Sequence, residues 1–346
     1  MRQLPVDKNM IFVNKLNIED LVYHDFLSEP FRVYGHFREN GENIRLPRAV
    51  AEATNADVFD MYRTSTGGRL RFVSDSPYVA VRFAFSRGER IPVMTQIGTI
   101  GFDLYADGEY AGTFVPPMEG DAYESVVRFS EAKKRSLMIH FPLYANIESL
   151  EIGLAKDSAL LPAEDYAIEK PIVFYGSSIT NGACASRPGM AYPAQVGRML
   201  NANHYNLGFG GCARGEQSMA NYIASLPMSA FVLDYDHNAY NPDYLLATHE
   251  PFFKTVREKH PDLPILMLSA PKVKRDASWQ RRYEIIRTTY ENALAAGDKN
   301  VYFIDGATPF SEIGPEYFVD GIHPSDLGFY LMAKAVADIL RPILKK

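Results

Sequence analysis

The sequence predicts an α/β chain in which a helix-covered parallel sheet follows an antiparallel β-sandwich. Three observations carry this reading. Short runs with apolar bulk at every second position recur before residue 155. After residue 170, short apolar runs alternate with segments of helical periodicity. Between them lies a polar stretch, residues 156–170, that contains Pro162. This stretch divides the chain into residues 1–160 and 161–346, and 346 residues exceed what one hydrophobic core usually organises.

In the first half, Val79-Ala80-Val81-Arg82-Phe83-Ala84-Phe85 alternates as a half-buried strand does. Residues 101–114 give two short strands about Asp107-Gly108, a dipeptide suited to the left-handed conformations of a tight hairpin. Residues 136–141 and 147–154 supply further strands. Turn signals recur at Thr66-Gly67-Gly68, Ser76-Pro77 and Pro116-Pro117. No long amphipathic helix is evident between residues 55 and 155. Many short strands with this punctuation read as a sandwich.

In the second half, strands are expected at 171–175, 204–207, 230–233, 265–268 and 301–304. Helices are expected at 191–201, 217–224, 244–258, 279–295 and 327–340. In the fourth helix Trp279, Tyr283, Ile286, Tyr290 and Leu294 fall on one face and are expected to be core. Alternation of this kind implies a parallel sheet covered on both sides, with ligands outside the carboxyl ends of the strands.

Composition narrows the function. Apolar residues make up 47% and charged residues 23%, as in ordinary globular proteins, and the net charge of −6 attracts no polyanion, so nucleic acid is not an expected partner. No apolar run approaches a membrane span, and residues 1–13 lack the layout of a signal peptide, so a cytoplasmic location without membrane partnership is expected. Two cysteines, Cys184 and Cys212, exclude a disulfide scaffold and a four-cysteine zinc site.

Four loops after strands carry chemistry-bearing residues. Gly176-Ser177-Ser178-Ile179-Thr180 follows the first parallel strand and reads either as a serine-capped turn or as an exposed nucleophile. Asn206-Leu207-Gly208-Phe209-Gly210-Gly211 follows the second; its glycines serve tight turning or aim N–H groups at an anion. Asp236-His237-Asn238 follows the third, where Asn is also a common loop residue. Asp320-Gly321-Ile322-His323 precedes the last helix; a carboxylate three residues before a histidine can hold its Nδ1, though a polar pre-helix turn capped by Ser325 or Asp326 has the same composition.

Together, in this order, these blocks resemble the SGNH (GDSL-like) hydrolase family over residues 170–342. The resemblance implies a three-layer, flavodoxin-like domain. It implies Ser178, Asp320 and His323 as a catalytic triad, and the N–H groups of Ser178 and Gly211 with the Asn238 amide as oxyanion donors. Two departures stand out: Ser177 occupies the family's usual Asp position, and Asp236-His237-Asn238 replaces Gly-x-Asn. Cys184-Ala185-Ser186-Arg187-Pro188-Gly189 resembles a branch in which a jelly-roll-like N-terminal sandwich precedes the catalytic domain, as in some bacterial carbohydrate esterases.

The resemblance implies acyl transfer without metal or organic cofactor, on small acyl esters, acetyl above all, of a small molecule or oligosaccharide. A lipase, lysophospholipase or thioesterase of the same family is the first alternative, and a non-catalytic sugar-binding protein the second. Arg187 and His237 are candidate substrate-binding residues beside the site. His24, His36, His140, His204, His249 and His260 lie less well placed to serve as the base. Cys184 and Cys212 sit on the first two of these loops, where a bridge would form if their Cα atoms came within roughly 4.4–6.8 Å.

Overall fold

The structure, a computed structural model, describes residues 15–87 and 91–344; the N-terminal segment read above for a signal peptide lies outside the described residues. Two antiparallel sheets face each other in the first half. One has the order β1 (Leu21–Asp25), β11 (Ile147–Ala155), β6 (Tyr78–Phe85), β9 (Ala122–Arg128). The other runs β12 (Leu160–Leu161), β5 (Arg69–Ser74), β10 (Arg135–His140), β7 (Phe102–Ala106), β8 (Glu109–Phe114), with β2 (Arg32–Tyr34) also on β5. A small hairpin, β3 (Phe37–Glu39) and β4 (Glu42–Ile44), lies between β2 and β5 in the chain. The expected alternation in β6 sends Val79, Val81, Phe83 and Phe85 into the sandwich core, where Phe83 meets Phe102 edge to face. Asp107 (φ +52°) and Gly108 (φ +87°) make the turn from β7 to β8, the two left-handed residues that suit the twist of a two-residue hairpin.

The second half is a five-stranded parallel sheet of order β14 (Ala202–Gly208), β13 (Ile168–Gly176), β15 (Ala230–Asp234), β16 (Ile265–Leu268), β17 (Val301–Ile304). The helices Tyr192–Leu200 and Asp326–Leu344 pack together, while Gln217–Ser225, Pro242–Lys259 and Ala277–Ala295 pack in succession, which gives two helical layers around the sheet. The chain runs from β13 to β14 on one side and then returns to place β15 on the other. The loop after β13 therefore stands at the point where strand order reverses, and there the neighbouring crossovers part to leave a crevice.

One expectation is corrected. Leu294 is 44% exposed, and the buried face of Ala277–Ala295 is Arg282, Ile285, Ile286, Thr289 and Ala293. The large aromatics sit beside this face: Tyr283 and Tyr290 pack on Phe303, and Trp279 packs on His237. The halves are also less separate in packing than their periodicities suggest. Ile44 on β4, Leu46 just after it, and Ala51, Val58 and Met61 on helices Arg48–Thr54 and Ala56–Met61 belong to the same apolar core as β13.

Candidate active site

β13 ends at Gly176, and a single helical turn, Ser178–Asn181, follows. A Cβ on Gly176 would stand 2.0 Å from Thr180 Oγ1 and 2.3 Å from the Asp234 carbonyl, so only glycine lets the turn fold back on the strand end. Ser177 is fully buried and caps the turn, its Oγ accepting from the Ile179 N–H at 3.2 Å. A short oxygen acceptor suffices there, which accounts for serine in place of Asp. Gly182, at φ +104°, stops the helix after one turn.

The turn is braced from below. Thr180 and Tyr192 both donate to Asp234 Oδ2 at 3.0 Å. Burial first, and the neighbouring Asp236 second, push the Asp234 carboxyl up to about 8, so it carries a proton at neutral pH. Asn181 Oδ1 accepts from Thr66 at 3.2 Å and from Arg45 at 3.3 Å, and its amide donates to the Leu143 carbonyl. Arg45 is fully buried and has no carboxylate partner among the described residues. It donates to Thr64 Oγ1 and to the Asn206 and Gly208 carbonyls, with its guanidinium 4.1 Å from the centre of the Phe209 ring. Residues from the first half thus hold the nucleophile turn.

Ser178 Oγ lies 2.8 Å from His323 Nε2, and His323 Nδ1 lies 2.7 Å from Asp320 Oδ2. Asp320 Oδ1 accepts from the N–H groups of Ile322 (3.0 Å) and His323 (2.8 Å), and Gly321 takes the positive φ that closes this turn. Partial burial disfavours the Asp320 charge, but hydrogen bonds from the backbone and ring of His323 and from Ile322 outweigh it and hold the carboxyl below the usual carboxylate range. An ionised carboxylate only accepts, so the Nδ1 hydrogen faces Asp320 and the Nε2 lone pair faces the Ser178 hydroxyl. Asp326, first residue of the following helix, accepts from the Ser186 N–H at 2.8 Å and so ties the histidine turn to the chain after Ser178.

The other two loops close around the serine. The Cβ that Gly210 lacks would lie 3.5 Å from Ser178 Cβ, and Gly211 turns the chain at φ +76°. Asn238 donates one amide hydrogen to the Phe209 carbonyl at 2.9 Å, which binds the β15 loop to the β14 loop and leaves a second amide hydrogen. The structure thus gathers Ser178, Gly211, Asn238, Asp320 and His323 at one sheet edge. His237 lies against Trp279, ring centroids 4.7 Å apart. Burial first, then the charge of Lys272, push its imidazole down to about 3, so it is neutral.

Arg187 has another occupation. It donates to the Asp103 carboxylate and to Tyr105 Oη (2.7 Å), and stands 4.1 Å from the centre of the Tyr110 ring, all in the sandwich. Asp103 is fully buried and also accepts from the Gly189 N–H at 3.0 Å. The sequence reading missed Asp103. Its signal was an acid inside the apolar run Phe102-Asp103-Leu104-Tyr105, on the face of β7 opposite the sandwich core. The two thiols are free and have different surroundings. Cys212 Sγ lies 3.8 Å from Met61 Sδ. Cys184, at φ +73°, has its donor atom within 4.8 Å of those of Asp320 and His323, the one such cluster among the described residues. Asp320 and His323 are already engaged with each other.

A serine-bearing turn at the switch point of this sheet, met by a histidine from the last loop, places the protein among SGNH-type hydrolases. The chain belongs to the GDSL-like lipase/acylhydrolase family, whose family model matches residues 169–341, and it is a carboxylic ester hydrolase. Residues 21–160 match the model of the N-terminal part of SGNH-hydrolase-type esterases. Among solved structures, a GDSL-like lipase from Bacteroides ovatus is 30% identical, with a TM-score of 0.84 over 94% of this chain and 98% of the other. The salicylyl-acyltransferase SsfX3 from a tetracycline biosynthetic pathway is 21% identical (TM-score 0.78, 94% and 98% covered). An acetyl xylan esterase from the rumen bacterium Butyrivibrio proteoclasticus is 14% identical (TM-score 0.60, 94% and 99% covered). No curated protein matches the chain.

Proposed function

We propose that Ser178 is the nucleophile of an esterase that removes short acyl groups, acetyl above all, from a carbohydrate. The observation that carries the catalytic part is the unbroken chain from Ser178 Oγ to His323 Nε2 (2.8 Å) and from His323 Nδ1 to Asp320 (2.7 Å). His323 takes the Ser178 proton as Oγ attacks the ester carbonyl, and the imidazolium is stabilised by Asp320. The resulting oxyanion receives the Ser178 and Gly211 N–H groups and the free amide hydrogen of Asn238. The C–O bond to the alcohol breaks, and that oxygen leaves with the proton held by His323. Water then gives a proton to His323, attacks the acyl-serine carbonyl and releases the acid as the proton returns to Oγ.

The openness of the site supports a bulky alcohol and a small acyl group. Asp320 and Ile322 lie on the surface, and Tyr240, two residues past Asn238, is 65% exposed. An exposed ring at a site rim offers an apolar face against which a sugar can stack. The likeness to acetyl xylan esterase suits this reading. The likeness to an acyltransferase favours a second, in which an alcohol rather than water takes the acyl group from Ser178.

Hydrolysis of p-nitrophenyl esters of graded chain length, alongside acetylated oligosaccharides, tests the substrate class. The acetate should be cleaved with higher kcat/KM than the octanoate, and acetate should be released from the oligosaccharides. A strong preference for octanoate would favour a lipase or thioesterase. Acyl transfer to added alcohols at the expense of hydrolysis would favour the second reading.

A further inference from the structure

A cavity of about 320 Å³ lies between the sandwich and the hydrolase layer. That size falls at the lower end of small-molecule sites, roughly 300–1,000 Å³, and is about ten times the share of one water. From the sandwich, Arg71 on β5 and His140 on β10 line it; from the other side, Arg198 on helix Tyr192–Leu200 and His204 on β14. His204 stands near the amino end of β14, whereas the Gly210–Gly211 loop leaves its carboxyl end. The cavity is therefore separate from the Ser178 site and independent of its assignment.

The lining is basic and incompletely satisfied. Two arginines line the cavity, and none of its lining residues is Asp or Glu. The nearby Asp103 is already engaged by Arg187 and the Gly189 N–H. His204 is only 2% exposed, yet neither of its ring nitrogens has a partner among the described residues. Arg71 Nη1 is likewise buried and unpaired among the described residues, while the Arg71 guanidinium carbon stands over Tyr166, 4.0 Å from the ring centre. Arg198 is fixed by the Gly189 carbonyl (2.6 Å) and by His140 Nε2 (3.1 Å). Arginine only donates, so His140 accepts there through Nε2. Buried donors without acceptors are rare in native proteins. Here residues that carry unpaired buried nitrogens border, with two arginines, one space large enough for a ligand.

We propose that this cavity binds a small phosphate-bearing molecule, with Arg71 and Arg198 holding the phosphate from opposite modules and His204 donating to it. Two guanidinium charges match the dianion of phosphate or a phosphate monoester better than the single charge of a carboxylate. Because one arginine comes from each module, the bound anion also clamps the sandwich to the hydrolase layer.

Titration calorimetry with inorganic phosphate at constant ionic strength tests this on the full-length protein. Saturable one-to-one binding is expected. Binding should be unchanged in Ser178→Ala, at least tenfold weaker in Arg71→Met, and at least tenfold weaker for acetate than for phosphate. Absence of saturable binding, or an Arg71→Met protein that binds within twofold of the parent, would overturn the proposal. Acetate binding equal to that of phosphate would overturn its phosphate selectivity. Should Arg71→Met fail to fold, a tungstate soak of crystals of the unaltered protein decides. An anomalous peak between Arg71 and His204 supports the site, and a cavity without one refutes it.

Discussion

The carboxyl edge of the parallel sheet and the joint between the modules use charged residues in opposite ways. At the edge, the His323 and Asp320 side chains remain 18% and 25% exposed, and they are joined by one short line of hydrogen bonds. At the joint, Arg45, Arg69 and Asp103 are fully buried, and each makes several bonds to groups far away in sequence. Burial lowers Arg45 to about 10, still well charged at neutral pH, and its cost is offset by bonds to carbonyl oxygens and side-chain oxygens. The edge is built to pass a proton, whereas the joint holds charges still. A substitution at the edge should therefore change rate and leave stability alone. One at the joint should do the reverse.

The largest expected effect is at the edge. Asp320→Asn replaces an acceptor with a group that can donate to His323 Nδ1 and so turn the wrong tautomer toward Ser178. By comparison with other serine hydrolases, kcat should fall by about 10⁴-fold while the thermal midpoint changes little. A fall of less than tenfold would remove Asp320 from the mechanism.

At the joint, Arg187→Ala leaves Asp103 buried without its cation and should destabilise the fold by about 3 kcal/mol in urea denaturation. This variant breaks or sharpens the comparison directly, because the sequence reading offers Arg187 as a substrate-binding residue. A KM raised tenfold at unchanged stability would return Arg187 to the site.

The last expected effect is a slope. Burial raises the Asp234 carboxyl from 3.8 in the unfolded chain to about 8 in the fold, so the native state holds one more proton between those values. Stability from this group is full below about pH 4 and is lost as pH rises toward 8, by at most about 1.4 kcal/mol per pH unit. Asp234→Asn should flatten the fall in the urea midpoint between pH 5 and 8. An unchanged slope would mean that Asp234 is ionised in the fold.

How much of this was legible in the sequence follows from the range of the interactions. The five parallel strands and the helices between them are local patterns of periodicity, and the structure places them within a few residues of expectation. The four loops were legible because each places its reactive residue within a few positions of a strand end or, for His323, of the last helix. The joint was not legible. Asp103 and Arg187 lie 84 positions apart, and Arg45 reaches a carbonyl 163 positions away. The helix Ala277–Ala295 misled for another reason. Its buried face includes Arg282 and Thr289, which donate to backbone carbonyls of Asp236 and Ile285 inside the protein, and a pattern of apolar residues does not register them.

The central claim, that Ser178 is the nucleophile, is tested most directly by fluorophosphonate labelling followed by peptide mass spectrometry. The account expects a single adduct on Ser178, loss of esterase turnover in step with labelling, and no adduct on folded Ser178→Ala. An adduct on Ser177, or full turnover by Ser178→Ala, would contradict it.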